Sequence, residues 1–272
     1  MKRLVVSTVA IAAVAGGATA CAVSQQQEVQ MGAQYASQIN QQLPIVTDPE
    51  VNRYINVLGD SIARVADTRN LEWRFFVVNS PEVNAFAVPG GYIYMNRGLI
   101  ERAQNMAQVA GVLGHEIGHV TRRHSVQQMQ KAQGANFGLA IGCVLAPNVC
   151  GNQAAGALIN VGANAAFAKF SRSDEAEADA EGVRYVTRAG IDPRGIPGMF
   201  RVLMEERQRR PAGVEAWFAT HPMEESRIRA TEEQIARDVP PAVLQSLSRD
   251  SRNFRAFQDR VRSLPAARQA RR

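Results

Sequence analysis

Apolar positions recur at two different periods along this chain, and the elements change where the period changes. Val51, Tyr54, Ile55, Leu58, Ile62 and Val65 follow one another at helical spacing, which gathers them on one side of a helix. Asp48-Pro49-Glu50 stand just before them: a capping aspartate, a proline for the first helical position and an acid for the first turn. Residues 25–42 repeat the pattern more weakly, glutamine-rich with spaced apolars, and predict an amphipathic helix. WRFFVVN, by contrast, is β-branched and aromatic and predicts a strand. In NAFAVPGGYIYMNRGLI, residues 84–100, Pro89-Gly90-Gly91 breaks the chain and Tyr92-Ile93-Tyr94-Met95 alternates. This is either a plain hairpin beside the core or an edge strand able to pair with an extended peptide, main chain to main chain.

Asn105 is placed to cap the next helix with Gln108 as its reciprocal partner, and the helix is expected to run to about Gln133. Residues 134–170 are rich in alanine and glycine, without charge until Lys169. Their apolar run ends at Pro147, short of the roughly 20 residues of a membrane span. A buried helical hairpin, a mobile lid and a surface dipping into lipid all fit this stretch. A helix then starts at Ser171 or Ser173 and ends at Gly190, Asp192-Pro193 starts another, and His221-Pro222 leads into a charged helix, EESRIRATEEQIAR. Helical patterns dominate around one small strand region, so the fold expected is α+β and mainly helical.

Composition changes this picture at the two ends. MKRLVVSTVAIAAVAGGATAC has a basic start, an apolar run and small residues before a cysteine, the build of a secretory signal peptide over residues 1–20. Ala18-Thr19-Ala20 suits ordinary processing, whereas the same residues followed by Cys21 resemble a lipobox. Lipid attachment at Cys21 is the favoured reading, with Ala22 pointing to the outer membrane. Export would also let Cys143 and Cys150 pair across VLAPNV. The chain has a formal net charge of +6, and the excess sits largely in the arginine-rich tail. No aromatic-basic module accompanies it and export removes most nucleic-acid partners, so no nucleic acid is expected as a partner. The organisation expected is a catalytic domain over 21–237 and a basic helical tail over 238–272.

The chemistry is concentrated in GVLGHEIGHVTRRH, residues 111–124, which holds three of the four histidines. His115 and His119 are four apart, on one helix face, and can grip one Zn²⁺. Glu116, rotated by roughly 100° from His115, is near the metal without being forced to bind it. In such an H-E-x-x-H arrangement the glutamate serves as general base toward the water the metal activates. His124 falls away from the shared face and is assigned a supporting or packing role. A catalytic zinc needs a third protein ligand, and SRSDEAEAD at 171–179 is where to look. Glu175 would bind the metal, and Asp179, four residues on, would accept the free N–H of a ligating histidine, His115 first. Glu177 and Glu181, on the other side, read as a solvated helix start.

GHEIGH, SRSDEAEAD, the upstream NAFAVPGG and the downstream THPMEESRI occur together in the order of the HtpX/BepA-type gluzincin peptidases, and the chain resembles that family over about residues 30–235. The resemblance implies a zincin-like domain whose small sheet borders the cleft with an edge strand. It implies His115, His119 and Glu175 as zinc ligands, Glu116 as general base and Asp179 as their support. His221 matches a histidine that either stabilises the oxyanion or becomes a fourth zinc ligand in an autoinhibited state. Arg227 matches an arginine supporting the site, and Tyr92, Ile93, Tyr94 and Met95 match the substrate-pairing edge. Integral-membrane members have long apolar spans, which are not found here after the leader. The function expected is a zinc-dependent endopeptidase of the bacterial envelope, lipid-anchored, acting on misfolded or unassembled envelope proteins. The rival is a non-proteolytic chaperone or assembly factor for outer-membrane proteins that uses the same groove.

Overall fold

A computed structural model describes residues 23–133, 169–222 and 225–266. The leader, the lipid-attachment expectation at Cys21, the Cys143–Cys150 pairing and the 134–168 stretch lie outside the described residues.

Local signals set the first elements. Helix α1 (Gln25–Gln42) starts at Ser24, whose hydroxyl accepts from the Gln27 N–H at 3.2 Å while the Gln27 side chain accepts from the Ser24 N–H at 2.9 Å. Helix α2 (Pro49–Ala66) starts as expected, with Asp48 accepting from the N–H groups of Glu50 and Val51, both at 3.1 Å. Its buried face carries Val51, Ile55, Leu58 and Ile62.

Strands β1 (Arg74–Val78), β2 (Ala85–Val88) and β3 (Tyr92–Asn96) form one sheet in the order β1-β3-β2. β1 runs parallel to β3 with Arg74 opposite Tyr92, and β2 runs antiparallel to β3 with Phe86 opposite Tyr94. Gly90 and Gly91 make the β2–β3 turn at φ 85° and 100°, which only glycine adopts without strain. Phe76, Tyr94 and Phe86 stack across the three strands at centroid distances of 4.8 and 4.9 Å. This face packs with Met31 and Tyr35 of α1. Phe75, Val77, Ile93 and Met95 alternate onto the other face and join the main core.

The topology corrects one expectation. Tyr92, Ile93, Tyr94 and Met95 are not an edge strand: β3 is hydrogen-bonded on both sides, so its backbone has no free row for a peptide. Alternation and the Gly-Gly turn identify a hairpin but cannot say that β1 joins it on the far side. The edge strand packed against the next long helix is β2.

After α3 (Arg97–Arg102), helix α4 (Met106–Thr121) crosses the core. The first N–H groups of a helix lack partners within it. Here Met106 N–H donates to Asp250 at 3.2 Å, Ala107 N–H to the Arg249 carbonyl at 3.0 Å, and Gln108 N–H to the Asn105 side chain at 3.2 Å. The Gln108 side chain accepts from the Gln104 N–H, one residue before the expected partner. The helix does not continue to Gln133 as predicted. Arg123 takes a left-handed φ of 60°, and the chain restarts as α5 (His124–Gln133). Long-range bonds hold this break: the Arg123 guanidinium donates to Glu28 at 2.7 Å and to the Val23 carbonyl at 2.6 Å. Arg69 donates to the same Glu28 at 2.9 Å.

Helix α6 (Arg172–Arg188) is capped by Ser171, ends before Gly190, and lies against α4. The two backbones approach closely because glycine stands at the contact. A Cβ on Gly118 would lie 3.0 Å from the Ala178 carbonyl oxygen, and one on Gly182 would lie 3.2 Å from the His115 nitrogen. Helices α7 (Gly195–Arg209), α8 (Glu215–Thr220), α9 (Glu225–Asp238), α10 (Pro241–Ser246) and α11 (Arg252–Ser263) complete the described residues. The arginine-rich α11 buries Phe254, Phe257 and Val261 in the same core as α2, with Phe257 stacked on Tyr54 at 4.3 Å. Among the described residues no helix is long and apolar enough to cross a membrane.

Candidate metal centre

The α4–α6 contact places two sets of side chains face to face. His115 and His119 project from α4, while Glu175 and Asp179 project from α6 at the same four-residue interval. His221, at the end of α8, closes the group. One ligand atom from each of His115, His119, Glu175 and His221 falls within 4.8 Å of the others, and all four residues are buried. Nε2 of His115 is 3.0 Å from Nε2 of His119 and 3.4 Å from Nδ1 of His221. The Glu175 carboxylate is 3.0 Å from His221 Nδ1, 3.4 Å from His119 Nε2 and 3.7 Å from His115 Nε2. A tetrahedron around zinc, with bonds near 2.0–2.1 Å, has edges of about 3.3 Å. The separations given lie on both sides of that value, within the 4.8 Å that encloses all four ligand atoms, so the residues are a donor set that can hold zinc.

The electrostatics favour the ligating forms of His119 and Glu175, whereas at His221 burial is outweighed by the carboxylates of Glu175 and Glu116, which raise its imidazole above the usual histidine range. Burial holds the His119 imidazole well below the usual histidine range, which keeps it neutral as a ligand must be. Burial opposes ionisation of Glu175, but the neighbouring imidazoles outweigh it and hold its carboxyl well below the ordinary value. Asp179 is likewise pushed up by burial and pulled down further by Arg227 and His115, so it is charged. Its Oδ1 lies 2.8 Å from Nδ1 of His115, the contact that fixes which His115 nitrogen faces the metal. Arg227 donates to both Asp179 oxygens at 2.7 Å and to the Pro222 carbonyl at 2.8 Å, and forms an ion pair with Glu175 at 2.5 Å.

Glu116 is fully buried, and neither of its oxygens has a hydrogen-bond partner. Burial raises its carboxyl above the ordinary range against the pull of His221 and His115. An unpartnered buried carboxylate is costly, and its placement 3.5 Å from His221 Nε2 puts that cost at the metal site.

Two neighbours were not marked by the sequence pattern. Trp217 stacks on His221 at 4.6 Å and Phe170 stacks on His119 at 3.9 Å, with the Phe170 N–H bonded to the Thr220 carbonyl at 3.0 Å. Glu177 is not a freely solvated acid but lies 3.1 Å from Nε2 of His124. Glu181 is buried and held by Arg122 and Arg184.

Comparison with known proteins decides the family. Residues 49–235 match the model described as "Peptidase family M48". The chain belongs to peptidase family M48. It is 32% identical over 227 residues to the beta-barrel assembly-enhancing protease of Escherichia coli, covering 81% of this chain and 46% of that protein. It is 28% identical to the metalloprotease LoiP of Escherichia coli, covering 67% of this chain and 68% of that protein, and 28% identical to the mitochondrial metalloendopeptidase OMA1 of Schizosaccharomyces pombe over 67% of this chain. The chain therefore spans about half the length of the first of these relatives. Membership of M48 agrees with the α+β, mainly helical fold and with the metalloendopeptidase expectation.

Proposed function

We propose that the chain is a zinc-dependent endopeptidase of the bacterial envelope, with His115, His119 and Glu175 as ligands, Glu116 as base and Asp179 and Arg227 as supports. One observation carries the reading: four ligand atoms converge at zinc-like spacing beside a buried carboxylate with no other partner. When bound, zinc supplies a Lewis acid and makes water acidic enough to ionise near neutral pH. Glu116 takes the proton of the attacking water and returns it to the leaving amine. His221 Nδ1 lies within the ligand cluster, which supports a resting state in which His221 would cap the metal. Hydrolysis requires it to swing off, and its imidazole is then free to donate to the developing oxyanion.

The buried ligands favour an extended segment over a folded surface as substrate, and the name of the first relative points to unassembled outer-membrane proteins. The leader and Cys21 support an envelope location with a lipid anchor at the outer membrane. The test is zinc content together with cleavage of an unfolded protein. Wild type and Glu116→Gln should each carry one zinc, with turnover lower by about 100- to 10,000-fold in the variant. His221→Ala should raise turnover if the cap limits it, and lower it if oxyanion donation dominates. Zinc in both proteins without turnover in wild type or His221→Ala would favour a non-proteolytic assembly factor. No zinc in the wild type would refute the site.

A further inference from the structure

Every metal-binding imidazole has a second ring nitrogen, and its contact fixes the tautomer and the basicity of the ligand. His115 meets Asp179 directly. His119 has no carboxylate at its Nδ1. The atom 2.9 Å away is Nδ1 of His124, a buried residue whose Nε2 lies 3.1 Å from Glu177 Oε2. The other Glu177 oxygen is 3.2 Å from Arg122 Nε. Phe170 is stacked on the His119 face, so this ring is held on the flat side as well as at its edge.

We infer that His124 is a positioning residue for the metal: it accepts the Nδ1–H of His119 and donates its own Nε2–H to Glu177, so that a three-member relay holds the second ligand as Asp179 holds the first. The direction of each bond follows from the ligand atom. His119 faces His115 and Glu175 with Nε2. A neutral imidazole that ligates through Nε2 keeps its proton on Nδ1, so toward His124 it is a donor. His124 Nδ1 is then the acceptor and its proton sits on Nε2, where Glu177 receives it. The opposite tautomer would set two N–H groups against each other and point a lone pair at a carboxylate.

The helix break makes this possible. Five residues along a regular helix would turn His124 by about 140° away from His119. The left-handed Arg123 reverses that turn and brings the two rings to an edge-on contact at 5.0 Å.

The inference rests on the metal-site reading, and the experiment separates the two. Zinc affinity is measured by competition with a chromophoric chelator. A wild type that takes up no zinc overturns the site and the relay together, whereas one that binds zinc lets the variants judge the relay alone. His124→Leu should weaken binding by about 10- to 100-fold. His124→Asn, whose side-chain oxygen can stand where Nδ1 stood, should restore most of the loss. Equal loss in both variants, or none in either, overturns the relay. Independently of folding by the variants, wild type labelled with 15N-histidine should show His119 as the Nδ1–H and His124 as the Nε2–H tautomer. His124 found as Nδ1–H or as imidazolium overturns it.

Discussion

Replacing Arg227 by methionine removes a charge while keeping most of the side chain's bulk, which isolates what the guanidinium does for the buried acids. Arg227 makes two 2.7 Å hydrogen bonds to Asp179 and an ion pair of 2.5 Å with Glu175, and lies 4.7 Å over the Phe200 ring. Burial works to lower its pKa, yet Asp179 and Glu175 hold it above the ordinary arginine value, so it is charged throughout. Methionine would leave two nearly water-free carboxylates facing only imidazoles. Breaking a buried pair by removing one partner costs about 3–5 kcal/mol. At about 2–4 °C per kcal/mol for a domain of this size, the midpoint should fall by about 6–20 °C. Urea unfolding followed by circular dichroism, with a chelator present and again at saturating zinc, measures the loss directly. Arg227→Lys keeps the charge without the planar fork and should lose less than half as much. A loss below about 1 kcal/mol, or a lysine variant no better than methionine, would refute the argument.

Other outcomes follow from the same structure. Asp179 has a depressed pKa in the folded protein, so its contribution is present above the unfolded value near 4 and lost as pH falls through the lower folded value. The stability gap between wild type and Asp179→Asn should be constant from pH 7 to about 4 and shrink below; a gap that widens on acidification would contradict this. Gly118→Val would drive a side chain into the Ala178 backbone and separate α4 from α6. It should weaken zinc binding in the chelator competition, and unchanged affinity would show that the close approach is not needed. Phe257→Ala should cost about 3–5 kcal/mol in urea unfolding, and a chain ending at residue 237 should fail to give a cooperative transition, because α11 shares the core of α2. A well-folded truncation would show the tail to be dispensable.

What could be read from the sequence was whatever depends on short-range geometry. The i, i+4 pairs His115/His119 and Glu175/Asp179, the Asp48 cap and the Gly90-Gly91 turn are each decided within a few residues, and the structure holds them where their spacing put them. What could not be read depends on distant partners. The break at Arg123 is held by Glu28 and Val23, about a hundred positions earlier, so nothing local marks it and the pattern alone continues the helix. His124 consequently read as turned away from the metal face. The central place of β3 is set by β1 pairing in parallel on its far side, which alternation along a single strand does not encode. Phe170 and Trp217 carry no spacing signal at all, because they come from separate segments that meet only around His119 and His221.

The start of α4 has a consequence for how the molecule matures. Two of its opening N–H groups are satisfied by Arg249 and Asp250, the latter 144 positions further along. During synthesis or transport, which deliver the chain from its N-terminus, Asp250 emerges 144 residues after Met106, whose N–H it accepts. Until then the helix that carries His115, Glu116 and His119 is left with an unfinished end. That helix is therefore completed only once the segment around Asp250 has been delivered, so the site it carries is assembled after the segments that flank it in sequence.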